Sequence, residues 1–238
     1  MTVQLEAGST VAVIGSGAMG SGIAQVAAAA GHPVILFDTR EGAAAKAIAD
    51  IGKVFARLVE KGRMSAADAD AANGRMRVAA AIADVRDAAI VIEAIVEDLG
   101  VKRALFAELE TIVGDDCILA TNTSSISVTA IAAELRRPQR LVGMHFFNPV
   151  PLMALVEVIS GLATEPAVAE QVFATAAAWG KNPVHAKSTP GFIVNRVARP
   201  FYGEALRLLS EQAADAATLD AVMREAGGFR MGPFELMD

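Results

Sequence analysis

The six residues Gly15-Ser16-Gly17-Ala18-Met19-Gly20 constrain this chain more than any other stretch. They stand between a short apolar run, Val11 to Ile14, and an alanine-rich amphipathic stretch, Met19 to Ala30. Glycines at this G-x-G-x-x-G spacing suit a strand that turns tightly into a helix, with the first glycine in the turn and the third where helix and strand pack closely. The strand-then-helix rhythm continues beyond the motif. Apolar runs predict strands over Pro33 to Phe37, Arg77 to Ala79, Ala89 to Ala94, Cys117 to Thr121 and Leu141 to Met144, with a further pair at Leu155 to Ile159 and Pro183 to His185. Helix-forming stretches fall between them at Ala43 to Lys61, Leu99 to Val113 and Pro166 to Trp179. Such alternation belongs to a parallel sheet covered on both faces. The fold class expected is therefore α/β, a Rossmann-type doubly wound and mostly parallel sheet, followed by a smaller all-helical domain.

The change to the helical domain comes after Lys187-Ser188-Thr189-Pro190-Gly191, because Phe192 to Glu211 and Ala216 to Ala226 have helical patterns with no strand between them. The domains expected are residues 1–187 and residues 188–238. The last segment, Gly232-Pro233-Phe234-Glu235-Leu236-Met237-Asp238, opens like a helix with proline in its first turn and stops after little more than one turn. One turn does not hold itself together, so the helical domain is expected to continue past Asp238.

Bulk properties narrow the function classes. The chain has 238 residues, enough to bury a substantial core. Its 53% hydrophobic share comes largely from alanine, and no stretch resembles the uncharged run of about 20 residues that a membrane span needs. No basic region followed by an apolar core opens the chain, so a cytoplasmic protein is expected. The single cysteine, Cys117, excludes an intramolecular disulfide framework and reads as a small core residue. A net charge of −6 without a basic stripe argues against nucleic acid as a partner. No metal site is expected.

The glycine motif is also a nucleotide site. Its second glycine allows a pyrophosphate to approach the backbone, and the free N–H groups and dipole of the helix N-terminus favour phosphate. Gly15, Ser16, Gly17, Ala18, Met19 and Gly20 are thus candidate cofactor contacts. Asp38 ends the second strand, where a carboxylate accepts hydrogen bonds from an adenosine ribose, which favours NAD over NADP. Arg40, two residues on, keeps a 2′-phosphate open.

In such sheets ligands bind beyond the carboxyl ends of the strands. His145, in His145-Phe146-Phe147-Asn148-Pro149, follows the apolar run Leu141 to Met144 at such an end. Histidine titrates near neutrality and can take a proton from an alcohol and return it. Of the other two histidines, His32 and His185 read as structural. Glu97, just past the fourth strand, is a candidate to fix the imidazole tautomer and stabilise the imidazolium, as the acid does in a Ser-His-Asp triad. Thr121-Asn122-Thr123-Ser124-Ser125 follows the fifth strand and offers hydroxyl donors, while Asn195 lies on the first helix of the helical domain.

Together these stretches resemble the L-3-hydroxyacyl-CoA dehydrogenase family, which includes 3-hydroxybutyryl-CoA dehydrogenases. The resemblance runs from Val11 to Asp238 and rests on the residues 13–24, Glu93-Ala94-Ile95-Val96-Glu97, Thr121 to Ser125, His145 to Pro151, Pro190-Gly191-Phe192-Ile193-Val194-Asn195-Arg196 and Met231 to Leu236. It implies a reversible NAD-dependent oxidation of a 3-hydroxyacyl-CoA, in fatty-acid or phenylacetate-type aromatic catabolism. His145 is then the general base and Glu97 its partner. Ser124 and Asn195 hydrogen-bond the 3-oxygen and the acyl group, Lys102 and Asn148 hold the nicotinamide ribose and carboxamide, and Lys61 meets the coenzyme A phosphates. A homodimer is implied through the helical domain. Two other readings compete: a sugar-acid dehydrogenase of the gulonate dehydrogenase and lambda-crystallin branch, and a catalytically idle NAD-binding module.

Overall fold

The computed structural model describes residues 4–238. The chain divides into two compact units, one ending at Pro190 and the other running from Gly191 to Asp238. In the first unit, β1 (Val11–Ile14) leads into α1 (Ala18–Ala29), followed by β2 (Val34–Phe37), α2 (Ala43–Glu60), α3 (Ala66–Gly74), β3 (Met76–Val78) and β4 (Ile90–Glu93). Then come α4 (Leu99–Ile112), β5 (Ile118–Thr121), α5 (Val128–Ala132), β6 (Leu141–Phe146), β7 (Leu155–Ser160), α6 (Pro166–Ala178) and β8 (Asn182–Lys187).

Among the described residues these strands form one sheet in the order β3-β2-β1-β4-β5-β6-β7-β8. Every neighbouring pair is parallel except β6 with β7. The chain order reverses between β1 and β4, and the crevice at the carboxyl ends of these two strands is where an open α/β sheet receives its ligand. Strands β1, β4 and β5 are buried at every position, because helices cover both faces and leave no solvent side for a polar alternation. Helix α2 buries Ala44, Ala47, Ile51 and Phe55, a stripe at three- and four-residue spacing. Alanines on α1, Ala24, Ala27 and Ala28, let that helix lie close to the sheet while its other apolar anchor, Ile23, fills the core.

Two differences from the sequence expectation matter. First, β6 extends through Phe146, so His145 lies inside the strand and inherits its fixed register rather than sitting in the loop beyond. Second, α3 and α5 were not expected, since neither has a long apolar stripe. Each is set instead by a capping serine: the Ser65 hydroxyl accepts from the Asp68 N–H at 3.0 Å, and the Ser127 hydroxyl from the Ala130 N–H at 3.2 Å.

The second unit contains α7 (Val194–Ser210), α8 (Ala216–Glu225) and α9 (Pro233–Met237). The short α9 is held from outside itself. Asp220 on α8 is buried and accepts from the N–H groups of Phe234 (2.8 Å) and Glu235 (3.1 Å), while Arg224 pairs with Glu235. A single turn therefore forms because α8 supplies the partners for its unsatisfied N-terminal amides.

Ser65→Ala removes the cap of α3 and should lower the unfolding free energy by about 1 kcal/mol. Urea denaturation with a midpoint equal to that of the unaltered chain would contradict this.

Candidate active site

The turn from β1 into α1 fits a pyrophosphate. Gly15 has φ +99, and a Cβ there would run into the Ala94 carbonyl at the end of β4. At Gly17 the opposite holds: a Cβ would meet nothing within 4 Å, so space is open beside this backbone. Gly17 is also the N-cap of α1; no side chain caps it, and the first turn has no acid. Open space over uncapped helical N–H groups is what a phosphate requires. Asp38, just past β2, accepts at Oδ2 from the Ser16 N–H (2.8 Å) and hydroxyl (2.6 Å), and Arg40 closes on the same carboxylate. The Arg40 guanidinium holds the Asp38 carboxyl far below the usual carboxylate range, against the opposing effect of burial. A cavity of about 420 Å³ lies here, lined by Gly15, Gly17, Asp38, Arg40 and Ala94 to Val96.

A neighbouring cavity of about 310 Å³ gathers most of the remaining candidates: Met19, Glu97, Ser124, His145 and Asn148, with Asn122, which the sequence reading did not single out. Asn122 Oδ1 accepts from the Phe146 N–H at 2.9 Å and so ties the end of β5 to the end of β6. Phe147 packs its ring 4.4 Å from that of His145.

The partner of His145 is corrected by the structure. Its Nδ1 lies 2.7 Å from Oε2 of Glu157, not of Glu97. The antiparallel pairing of β6 and β7 places His145 directly opposite Glu157, whose side chain has no exposed surface. An ionised carboxylate only accepts, so Nδ1 carries the proton and Nε2 is the basic nitrogen. A signal was present in the sequence: a lone glutamate inside the apolar run Leu155-Val156-Glu157-Val158-Ile159. A charge in such a strand is retained only when paired.

Glu97 does something else. Its Oε1 accepts from the Thr123 hydroxyl (2.6 Å) and from the N–H groups of Ser124 (2.8 Å) and Ser125 (3.1 Å), which fixes the loop after β5. Burial opposes its ionisation, but the Thr123 hydroxyl, the Lys102 charge and the Ser124 N–H outweigh burial and hold the carboxyl at about 2. Lys102 is buried beneath this loop rather than lining the cavity. Its ammonium sits 2.6 Å from Glu93 and 3.3 Å from Glu97, and Glu93, with no exposed surface, also accepts from the Thr121 hydroxyl and the Ile95 N–H.

A third cavity of about 790 Å³ runs along α1 and α2 to the loop after β6. Asn148 lines both it and the cavity at His145. Lys61 lies at the C-terminal end of α2 and does not border the groove, whereas Lys46, paired with Asp50, does. The loop is fixed from below by Lys181, another residue the sequence reading passed over. Its buried ammonium donates to the carbonyls of Val150 (2.5 Å) and Met153 (2.9 Å), and burial pushes its pKa down. Asn195 belongs to the second unit, one residue into α7. His32 bonds the Ser9 carbonyl, and His185 pairs with Glu170 at 3.2 Å. Burial, against the nearby Arg140 charge, pushes the Cys117 thiol up to about 12, which leaves it inert. Among the described residues no cluster of His, Cys, Asp or Glu could hold a metal, and no helix is long and apolar enough to cross a membrane.

Known proteins resemble this chain along almost its whole length. The family description "3-hydroxyacyl-CoA dehydrogenase, NAD binding domain" matches residues 10–189, and "3-hydroxyacyl-CoA dehydrogenase, C-terminal domain" matches residues 191–238. The chain belongs to the 3-hydroxyacyl-CoA dehydrogenase family. It is 51% identical over 229 residues to a protein of Escherichia coli K12 named 3-hydroxyadipyl-CoA dehydrogenase, covering 96% of this chain and 48% of that protein. A 3-hydroxybutyryl-CoA dehydrogenase of Clostridioides difficile is 41% identical over 228 residues, covering 96% of this chain and 81% of the relative. The crystal structure of a 3-hydroxybutyryl-CoA dehydrogenase from Escherichia coli K12 superposes with a TM-score of 0.94 at 50% identity, covering 99% of this chain and 49% of that one. The chain thus spans about half the length of the Escherichia coli relatives. As expected from the strand-helix rhythm, the first unit of this family member is a Rossmann-type NAD-binding domain followed by helices.

Two consequences are measurable. Glu97→Gln imitates the protonated carboxyl and should destabilise the protein at neutral pH. Because the folded carboxyl sits at about 2 against an ordinary 4.5, its contribution is complete above 4.5 and is lost as pH falls toward 2. The gap between urea midpoints of the two proteins should therefore close across that interval; a gap independent of pH would contradict it. Lys181→Met keeps the apolar stem but removes both loop bonds, so amide hydrogen exchange should quicken over Val150 to Met153. Unchanged exchange there would show that the lysine does not hold the loop.

Proposed function

We propose that this chain carries out the hydride-transfer reaction that interconverts (S)-3-hydroxyacyl-CoA and 3-oxoacyl-CoA, with His145 as general base. The observation that carries the proposal is the 2.7 Å bond between His145 Nδ1 and the fully buried Glu157, in a cavity at the carboxyl end of β6. It presents Nε2 as the basic nitrogen, able to take the proton from a C3 hydroxyl and to return it in the reverse direction. As positive charge develops on the ring, Glu157 stabilises it without leaving its place in β7.

NAD, when bound, supplies the carbon that accepts or returns the hydride. The backbone from Gly15 to Gly20 would hold its pyrophosphate and Asp38 its adenosine ribose. Glu97, Ser124 and Asn148 border the cavity of His145 and would receive the nicotinamide end. Lys102 serves this end through Glu97, whose carboxylate it keeps charged. Ser124, tied to Glu97 by its N–H (2.8 Å) and its hydroxyl (3.3 Å), borders this cavity and would meet the substrate oxygen there. The groove along α1 and α2 is the passage for the coenzyme A tail, because Asn148 joins it to the cavity of His145.

The relatives' names bracket the acyl group between a short monocarboxylic chain and a dicarboxylic one. Fatty-acid or aromatic acyl-CoA degradation are the settings that would use it, and a cytoplasmic location suits the one reduced, buried thiol. A homodimer belongs to the same proposal, supported by Val197, Val222 and Phe229, which the second unit leaves exposed.

The test is NADH oxidation with acetoacetyl-CoA and, in parallel, 3-oxoadipyl-CoA. Turnover with either supports the reading; NADH binding with no turnover on either substrate refutes it. His145→Gln should lose at least about 10²-fold in kcat while binding NADH as before. A variant that keeps most of its rate would remove histidine from the mechanism.

A further inference from the structure

Asp38 is more fully occupied than a ribose-binding carboxylate needs to be. Ser16 donates to its Oδ2 twice, from N–H (2.8 Å) and from the hydroxyl (2.6 Å). Arg40 donates three more bonds: from N–H (2.9 Å) and Nε (3.1 Å) to Oδ1, and from Nη2 (3.0 Å) to Oδ2. A carboxylate has about four lone-pair positions, so none is left for a diol that must itself donate. One of the existing donors has to leave when a ribose arrives. Ser16 is nearly buried and its bonds belong to the glycine turn, while the Arg40 N–H belongs to the backbone. The Arg40 side chain is 70% exposed, and an exposed ion pair is weak. It is the group that can move.

Its destination is close by. Arg40 borders the cavity of Gly15 and Asp38, the long groove along α1 and α2, and a further cavity of about 580 Å³ on the side of Gly42 and Val78 to Ala80. A guanidinium that swings off Asp38 into this space stays beside the ribose, and its planar fork matches a phosphate. Glu41 borders the 580 Å³ cavity too and offsets part of that charge.

We infer that Arg40 is a specificity-determining residue at the adenosine ribose: it closes on Asp38 when no cofactor is bound, yields to the ribose diol, and once displaced makes the site partly tolerant of a 2′-phosphate. The inference rests on the reading of the glycine turn and Asp38 as the cofactor site. Asp38 alone would repel NADP; Asp38 with a mobile arginine discriminates less.

The experiment is a pair of binding titrations, NADH and NADPH separately, followed by nicotinamide fluorescence with no acyl-CoA present, on the unaltered protein, Arg40→Ala and Arg40→Lys. The unaltered protein should bind both, NADH more tightly. Arg40→Ala should bind NADH as well or up to about fivefold more tightly and NADPH about tenfold more weakly, so that the ratio of the two Kd values rises by about tenfold or more. Arg40→Lys, charged but without the fork, should fall between. Two results would overturn the inference while leaving the cofactor site standing: no NADPH binding by the unaltered protein, or an unchanged ratio in Arg40→Ala, equal weakening of both cofactors included. Failure of the unaltered protein to bind NADH would instead refute the reading of the site itself.

Discussion

A carboxylate that loses all contact with water must be met by a donor or an opposite charge, and two such carboxylates organise this protein. Glu93 ends β4 and Glu157 lies inside β7, both without exposed surface. Glu93 is met by Lys102, Thr121 and the Ile95 N–H, which locks the ends of β4 and β5 together and brings Lys102 under Glu97. Glu157 is met by His145, which fixes the ring that faces the cavity at the end of β6. The two pairs lie near the carboxyl ends of β4 and β6, so the same desolvation cost that would destabilise an unpaired acid here holds the site's side chains in place.

The sheet supplies the rest of the geometry. Its order reverses between β1 and β4, which opens a crevice where Gly15 passes close to Ala94 and Gly17 leaves room for a ligand. On the other side, β7 runs against its neighbour β6, and only that reversal sets Glu157 across from His145. The glycine turn, the Glu97 loop and the His145 pair therefore stand in sequence along the strand ends. A dinucleotide laid from Asp38 toward Asn148 would reach from one to the other.

Much of this was legible in the residues. Apolar runs alternating with alanine-rich helices were enough to place each strand within a residue or two, because strands buried on both faces show as continuous runs. The glycine spacing and Asp38 pointed to the turn and cavity at the ends of β1 and β2, and His145 stood at the end of a recognisable strand. Glu157 was not legible as the partner of His145, since the two are 12 positions apart and meet only through the register of an antiparallel pair. Glu97 looked the better candidate by position, yet its oxygen is taken up by the Thr123 to Ser125 loop. Lys102 was expected to hold the nicotinamide ribose and carboxamide directly, but no pattern reveals that a buried acid will draw an ammonium inward. Helix α3 escaped notice because its cap, not an apolar stripe, defines it.

The pairing with Glu157 favours the proton on His145 Nδ1 and leaves Nε2 as the basic nitrogen. Imidazole nitrogen chemical shifts of ¹⁵N-labelled protein measure this directly in the neutral ring. His145 should show a protonated Nδ1 and an unprotonated Nε2, with the preference lost in Glu157→Gln and kept in Glu97→Gln. A proton found on Nε2, or a tautomer that follows Glu97 instead of Glu157, would contradict it.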